Sequence, residues 1–225
     1  MKKRMRVIEC VVVLVIFAVC CVNSMAATYT AHGTEDASVA VIPATGTYGD
    51  WNGFPNDGTI DAGADTGGVV YWAWFKYALP TFGADEVIDT ASLTFVPVAG
   101  LNNAGTTNMG IYYCSENSWS EGTITYNSAP WSGVDSSPIA QLIPSIWNYN
   151  TVDITSALVG MSGGQNVTFV MTTMNQSVAA EWYIQTSEGG YPPYLSINAT
   201  VVPEPATMAL LVMGCFGLLR RNRTV

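Results

Sequence analysis

Cationic side chains are almost missing from the middle of this 225-residue chain. Seven of its eight lysines and arginines lie in the first six or the last six residues, so between residues 27 and 202 Lys76 stands alone against 15 carboxylates, a formal charge of −14. A body with one cation cannot neutralise a run of phosphates, which excludes nucleic acid as a partner. An anionic polysaccharide meets the same repulsion unless a divalent cation bridges it, whereas neutral glycans and cations remain open. Histidine is also scarce. His32 is the only one, which removes Ser–His and Cys–His nucleophilic pairs and histidine-rich metal sites. Glu116 and Glu121 are left as a carboxylate pair for glycoside hydrolysis, but a glutamate within Trp119-Ser120-Glu121-Gly122-Thr123 serves more simply as a partner for turn amides. The expectation is a protein that is not an enzyme. Disulfides are lacking too: Cys10, Cys20, Cys21 and Cys215 sit in apolar ends and leave Cys114 alone, a buried small hydrophobe or, in the alternative, one half of an intermolecular pair. No apolar run reaches the ~20 residues that span a bilayer; the longest are residues 10–22 and 206–219.

Those two runs explain where the basic residues went. Lys2, Lys3, Arg4 and Arg6 precede the first, and Ser24-Met25-Ala26 supplies small residues where a signal peptidase reads. Residues 1–26 read as a signal peptide and Ala27 as the mature start. The second run, 14 residues closed by Arg220, Arg221 and Arg223, spans about 21 Å as a helix against a core of ~30 Å. Its basic end would stay cytoplasmic. Pro203 and Pro205 keep Val202-Pro203-Glu204-Pro205 extended and outside the following helix. Residues 201–225, with the VPEP stretch, the apolar run and the RRNR end in that order, resemble a PEP-CTERM sorting signal. The resemblance implies a bacterial exported protein, handled by a membrane-embedded exosortase and anchored in the membrane at least transiently by its tail.

Between the ends the pattern is short, alternating and broken by Gly, Asn, Asp, Ser and Pro. Val167, Phe169 and Met171 alternate with polar neighbours, as do Leu93 with Phe95 and Leu195 with Ile197, the period of half-buried strands. Further strands are expected at residues 39–42, 69–79, 109–114, 123–126, 151–154 and 181–185, and one helix at 155–161. The predicted fold for residues 27–200 is all-β, an antiparallel sandwich or jelly roll, flanked by the signal helix and the hydrophobic tail helix. Residues 43–68 break the rhythm and read as one long loop.

Trp119-Ser120-Glu121-Gly122-Thr123-Ile124-Thr125-Tyr126-Asn127-Ser128-Ala129-Pro130 is similar to the W-x-E-x-T-x-T-[WY]-N-x-x-P stretch of the DNRLRE, or disaggregatase-related, β-sandwich modules, so that Trp119, Glu121, Thr125, Asn127 and Pro130 fall on the motif. Phe75 to Pro80, Val152-Asp153-Ile154-Thr155 and Ser187-Glu188 with Pro192-Pro193-Tyr194-Leu195 follow in the family's order. The resemblance implies a jelly roll related to carbohydrate-binding modules, some of them alginate binders. The chain departs from the family at Ala78, where an aspartate is usual, and at Ser187, where the arginine is absent.

Two candidate sites follow. If Phe75, Tyr77 and Leu79 face the core, Trp72, Trp74 and Lys76 face the other way, and residues two apart on a strand stand ~6.6 Å apart, a spacing that suits stacked pyranose rings. The alternative is that the loop carrying Trp51 and Phe54 covers these tryptophans as a second small core. Asp57, Asp61 and Asp65 gather hard oxygen ligands of the kind calcium prefers, although their spacing is not that of an EF-hand, and a solvated acidic loop is the alternative. Expected partners are therefore signal peptidase, an exosortase and a neutral or calcium-bridged polysaccharide; the one cofactor considered is Ca2+.

Overall fold

The computed structural model describes residues 26–41, 52–53 and 58–202. They form strands β1 (Ala26–Val41), β2 (Asn52–Gly53), β3 (Thr59–Ala64), β4 (Val70–Ala78), β5 (Glu86–Phe95), β6 (Pro97–Asn102), β7 (Met109–Cys114), β8 (Ala140–Leu142), β9 (Asn150–Asp153), β10 (Asn166–Thr173), β11 (Ala180–Gln185) and β12 (Tyr194–Val201), with one short helix, α1 (Thr155–Leu158). All their pairings are antiparallel.

Two sheets share β1. Its first part, from Ala26 to His32, pairs with β12, which continues to β5 and β9. A register shift between Gly33 and Glu35 then carries β1 into the second sheet, where it lies beside β4. The other edge of β4 is divided: β10, with β7 and β8 beyond it, takes residues 73–78, and β3, with β11 and β6 beyond it, takes Val70 and Tyr71. An extra residue at such a shift bends the strand, which lets one chain segment turn the corner between two layers.

Alternation, reset at the register shifts, puts one side of the strands between the layers. Leu93, Leu195 and Ile197 from the first sheet pack with Phe75, Tyr77, Phe169 and Trp182 from the second in one continuous core. Ala26 stands opposite Thr200 at one pole of the first sheet, while His32, Tyr194, Thr94, Phe95 and Asn150 line up at the other. The chain before β9 and the chain before β12 therefore meet at the pole away from Ala26 and Val201.

The antiparallel sandwich expected from the alternating pattern is what forms. Residues 123–126 differ, being turns and not a strand: Thr125 accepts from Ser128 and Ala129 backbone N–H groups, and the Ser128 hydroxyl takes the Thr125 N–H. The long loop at 43–68 is interrupted by β2 and β3. The expected signal peptide, the expected tail helix and the basic end at Arg220, Arg221 and Arg223 lie outside the described residues. Among the described residues no helix is long and apolar enough to cross a membrane.

Candidate functional site

The outer face of β4 carries Trp72, Trp74 and Lys76, as alternation requires, but it is not an open platform. Trp74 and Lys76 are buried and Trp72 is half-buried. The cover is the segment from Ser115 to Val134, whose Trp119, Ile124 and Ala129 build a second small core with Ala37, Val39, Trp74, Cys114 and Val170. Trp131 stands edge-on to both Trp72 and Trp74, with ring centroids 5.2 and 5.3 Å away. The Cys114 thiol is enclosed in this core, and burial pushes its ionisation up. Trp51, Phe54 and Asp57 lie outside the described residues.

The family motif is the lid of that core. Trp119 lays its ring 4.6 Å from the Lys76 ammonium, gives its carbonyl to the same Nζ, and donates its indole N–H to Thr168 at 3.0 Å. Thr168 in turn donates to Asn117. Lys76 pairs with Glu35 at 2.9 Å, and the second Glu35 oxygen accepts the Glu121 N–H at 2.8 Å. The Tyr126 carbonyl accepts the Trp131 indole N–H, and Pro130 accepts from Gly133. Buried charge is tolerated here because each end of it has a partner.

Carboxylates converge beside this lid, and they are not the aspartates singled out by spacing. Asp65 caps its own turn by accepting the Val69 N–H; Asp61 sits on β3 opposite Tyr183. Asp36, Glu121 and Glu188 instead present oxygens that all lie within 4.8 Å of one another. Asp36 is buried and accepts both the N–H and the hydroxyl of Ser187 at 2.8 Å; Ser187 also bonds Glu188. Burial raises the Asp36 carboxyl above its ordinary range, with the Ser187 bonds holding it partly down and Glu188 adding to the rise. Burial and then the Asp36 and Glu188 charges push Glu121 up likewise. The sequence had marked Glu121 and Glu188 through the motif; Asp36 carried no signal, because it reaches them only through the corner in β1.

The aromatic residues that do face solvent were also missed. Trp147 is 67% exposed, Tyr149 63% and Tyr191 47%. Tyr149 and Tyr191 stand edge to face with centroids 6.2 Å apart, bringing the chain before β9 against the chain before β12. Buried Asn150 organises the turn: its carbonyl accepts the Ser145 N–H, and its amide donates to the Ser145 and Asn148 carbonyls, all within 2.9 Å. Trp147 adopts a φ of 61°, rare for a bulky residue, and its N–H is tied to the Pro97 carbonyl at 2.7 Å. A polar W-N-Y-N run at a turn was the available signal.

Comparison with known proteins agrees with this architecture. No curated protein matches the chain. A PEP-CTERM protein-sorting motif matches residues 201–223, which covers Val202, Pro203, Glu204 and Pro205 and marks the chain for exosortase-dependent sorting to the bacterial envelope or surface. The model of carbohydrate-binding module family 96 matches residues 27–199, the whole sandwich with its aromatic pole. This chain belongs to carbohydrate-binding module family 96.

Proposed function

We propose that the exported protein retains neutral glycans, without turning them over, on the rings of Trp147, Tyr149 and Tyr191. One observation carries this: a tryptophan 67% exposed is held in a left-handed backbone by a turn whose hydrogen bonds converge on one buried asparagine. Large exposed aromatics in a fixed arrangement are the usual mark of an interaction site, and a pyranose ring stacks on such faces through its C–H groups. With Lys76 buried, neither lysine nor arginine is offered to a uronate, so the favoured ligand is neutral. Trp72, Trp74 and Lys76 are assigned to the second core.

The reading extends to the ends. Signal peptidase frees Ala27, the tail holds the protein in the membrane while Arg220, Arg221 and Arg223 stay cytoplasmic, and an exosortase acts at Val202 to Pro205. A mass for surface-extracted protein that ends at Val225 would remove the processing step.

The test is affinity electrophoresis of the mature protein in neutral and uronic polysaccharides. Trp147→Ala combined with Tyr149→Ala is expected to abolish retardation by a neutral glycan while leaving the circular dichroism unchanged. Equal retardation of the double variant sinks the aromatic site, and release of reducing sugar by the purified protein sinks the non-catalytic role.

A further inference from the structure

We infer that Asp36, Glu121 and Glu188 form a site for a divalent cation of the calcium type. The three come from separate stretches, β1, the 115–134 lid and the turn after β11, and their oxygens lie within 4.8 Å of one another. Two oxygens on opposite sides of one calcium stand about 4.8 Å apart, twice a Ca–O distance of ~2.4 Å. Three carboxylates so placed need a counter-charge. Lys76, the only lysine or arginine between 27 and 202, is committed to Glu35 and the Trp119 carbonyl.

Tyr77 supplies the independent observation. Its hydroxyl is buried with no hydrogen-bond partner. Across the ladder it faces Gly33, and its ring edge and the Ser187 Cβ both come to 3.9 Å from the point where a side chain on Gly33 would begin. The Tyr77 ring edge and Ser187 thus border the same bare backbone, and Ser187 bonds both Asp36 and Glu188. Burial and then the Asp36 charge push its ionisation up, so it stays a neutral hydroxyl. A neutral phenol oxygen in that place accepts a hydrogen from water bound to the cation, the outer-shell contact that orients a ligand. An oxygen-only set drawn from three separate segments suits calcium better than magnesium, which demands a near-ideal octahedron.

The mature protein, stripped with EDTA, is titrated with calcium chloride at physiological salt by calorimetry and by thermal unfolding. One ion per chain is expected, with Tm rising about 5–10 °C once calcium is near a hundred times Kd. Glu188→Gln, an exposed position, is expected to weaken binding by about tenfold or more; Glu121→Gln replaces it if that variant does not fold. Tyr77→Phe is expected to unfold no earlier than wild type in EDTA yet to bind calcium several-fold more weakly. Asp65→Asn, in the turn between β3 and β4, is expected to leave binding unchanged. No heat and no Tm shift in wild type at millimolar calcium, an equal Tm shift with magnesium, or full binding by Glu188→Gln would each overturn the site.

Discussion

At the scale of single residues, Lys76 shows how one cation can be indispensable without touching a ligand. Removing it leaves Glu35 facing the lid uncompensated and takes a donor from the Trp119 carbonyl. Lys76→Met is expected to lower unfolding free energy by about 2–4 kcal/mol in urea titrations. Adding Glu35→Gln should restore most of the loss, since the pair and not the charge itself is what matters; a double variant as unstable as the single one contradicts this. Glu181 behaves oppositely. Buried on β11, its carboxyl is raised above 4.5, chiefly by burial, with a Tyr183 hydrogen bond holding it partly down and the Asp65 charge adding to the rise. A raised carboxyl costs stability above its folded pKa and regains it as pH falls toward 4.5. Glu181→Gln should therefore be more stable at neutral pH, and the advantage should vanish on acidification to the ordinary carboxylate range. The neighbouring Tyr183 phenol is pushed up to about 12, first by burial and then by Glu181 and Asp61, so it does not titrate in that window. Neither role was legible from composition: Lys76 was visible as the lone base, but only the lid shows that it is sealed in.

At the scale of elements, alternation was readable and cover was not. The period-two pattern in Val70 to Ala78 assigns Phe75 and Tyr77 to the core and Trp74 to the other face. What lies on that other face depends on contacts 40 or more residues away in sequence, such as Lys76 to Glu35 and Trp119, which no local pattern encodes. Residues 123–126 of the motif read as a strand because threonine and tyrosine favour strands, yet hydroxyl bonds around Thr125 and Ser128 closed them into turns. Trp119→Ala should consequently loosen the whole lid, with a loss of about 3–5 kcal/mol and a red-shifted Trp74 emission as that indole meets water. β3 was hidden inside an apparent loop by the glycines around it, and the one within it is obligatory. Gly63 has a φ of 121°, and a Cβ there would stand 2.1 Å from the Ala180 carbonyl oxygen. Gly63→Ala is expected to break the β3–β11 register and to cost more than about 3 kcal/mol, read as loss of amide protection in residues 59–64 and 180–185.

At the scale of the whole molecule, charge is sorted by position. The body carries −14 between residues 27 and 202, so it repels itself and its copies, and moderate sodium chloride should raise Tm in EDTA by a few degrees; a flat response would mean the carboxylates are already neutralised. The all-β body was legible from length and alternation, but the poles were not, because they depend on which strands lie side by side. Ala26 is opposite Thr200, so both ends of the sandwich leave from one pole. β12 runs from Tyr194 to Val201, about 23 Å at 3.3 Å per step, and the exposed rings of Tyr149 and Tyr191 touch beyond its far end. If the tail moors the protein as proposed, those rings swing outward like a grapnel on a short line. Fusing a bulky tag to either terminus should leave the grip intact, while the same tag spliced into the turn from Ser145 to Asn150 should foul it.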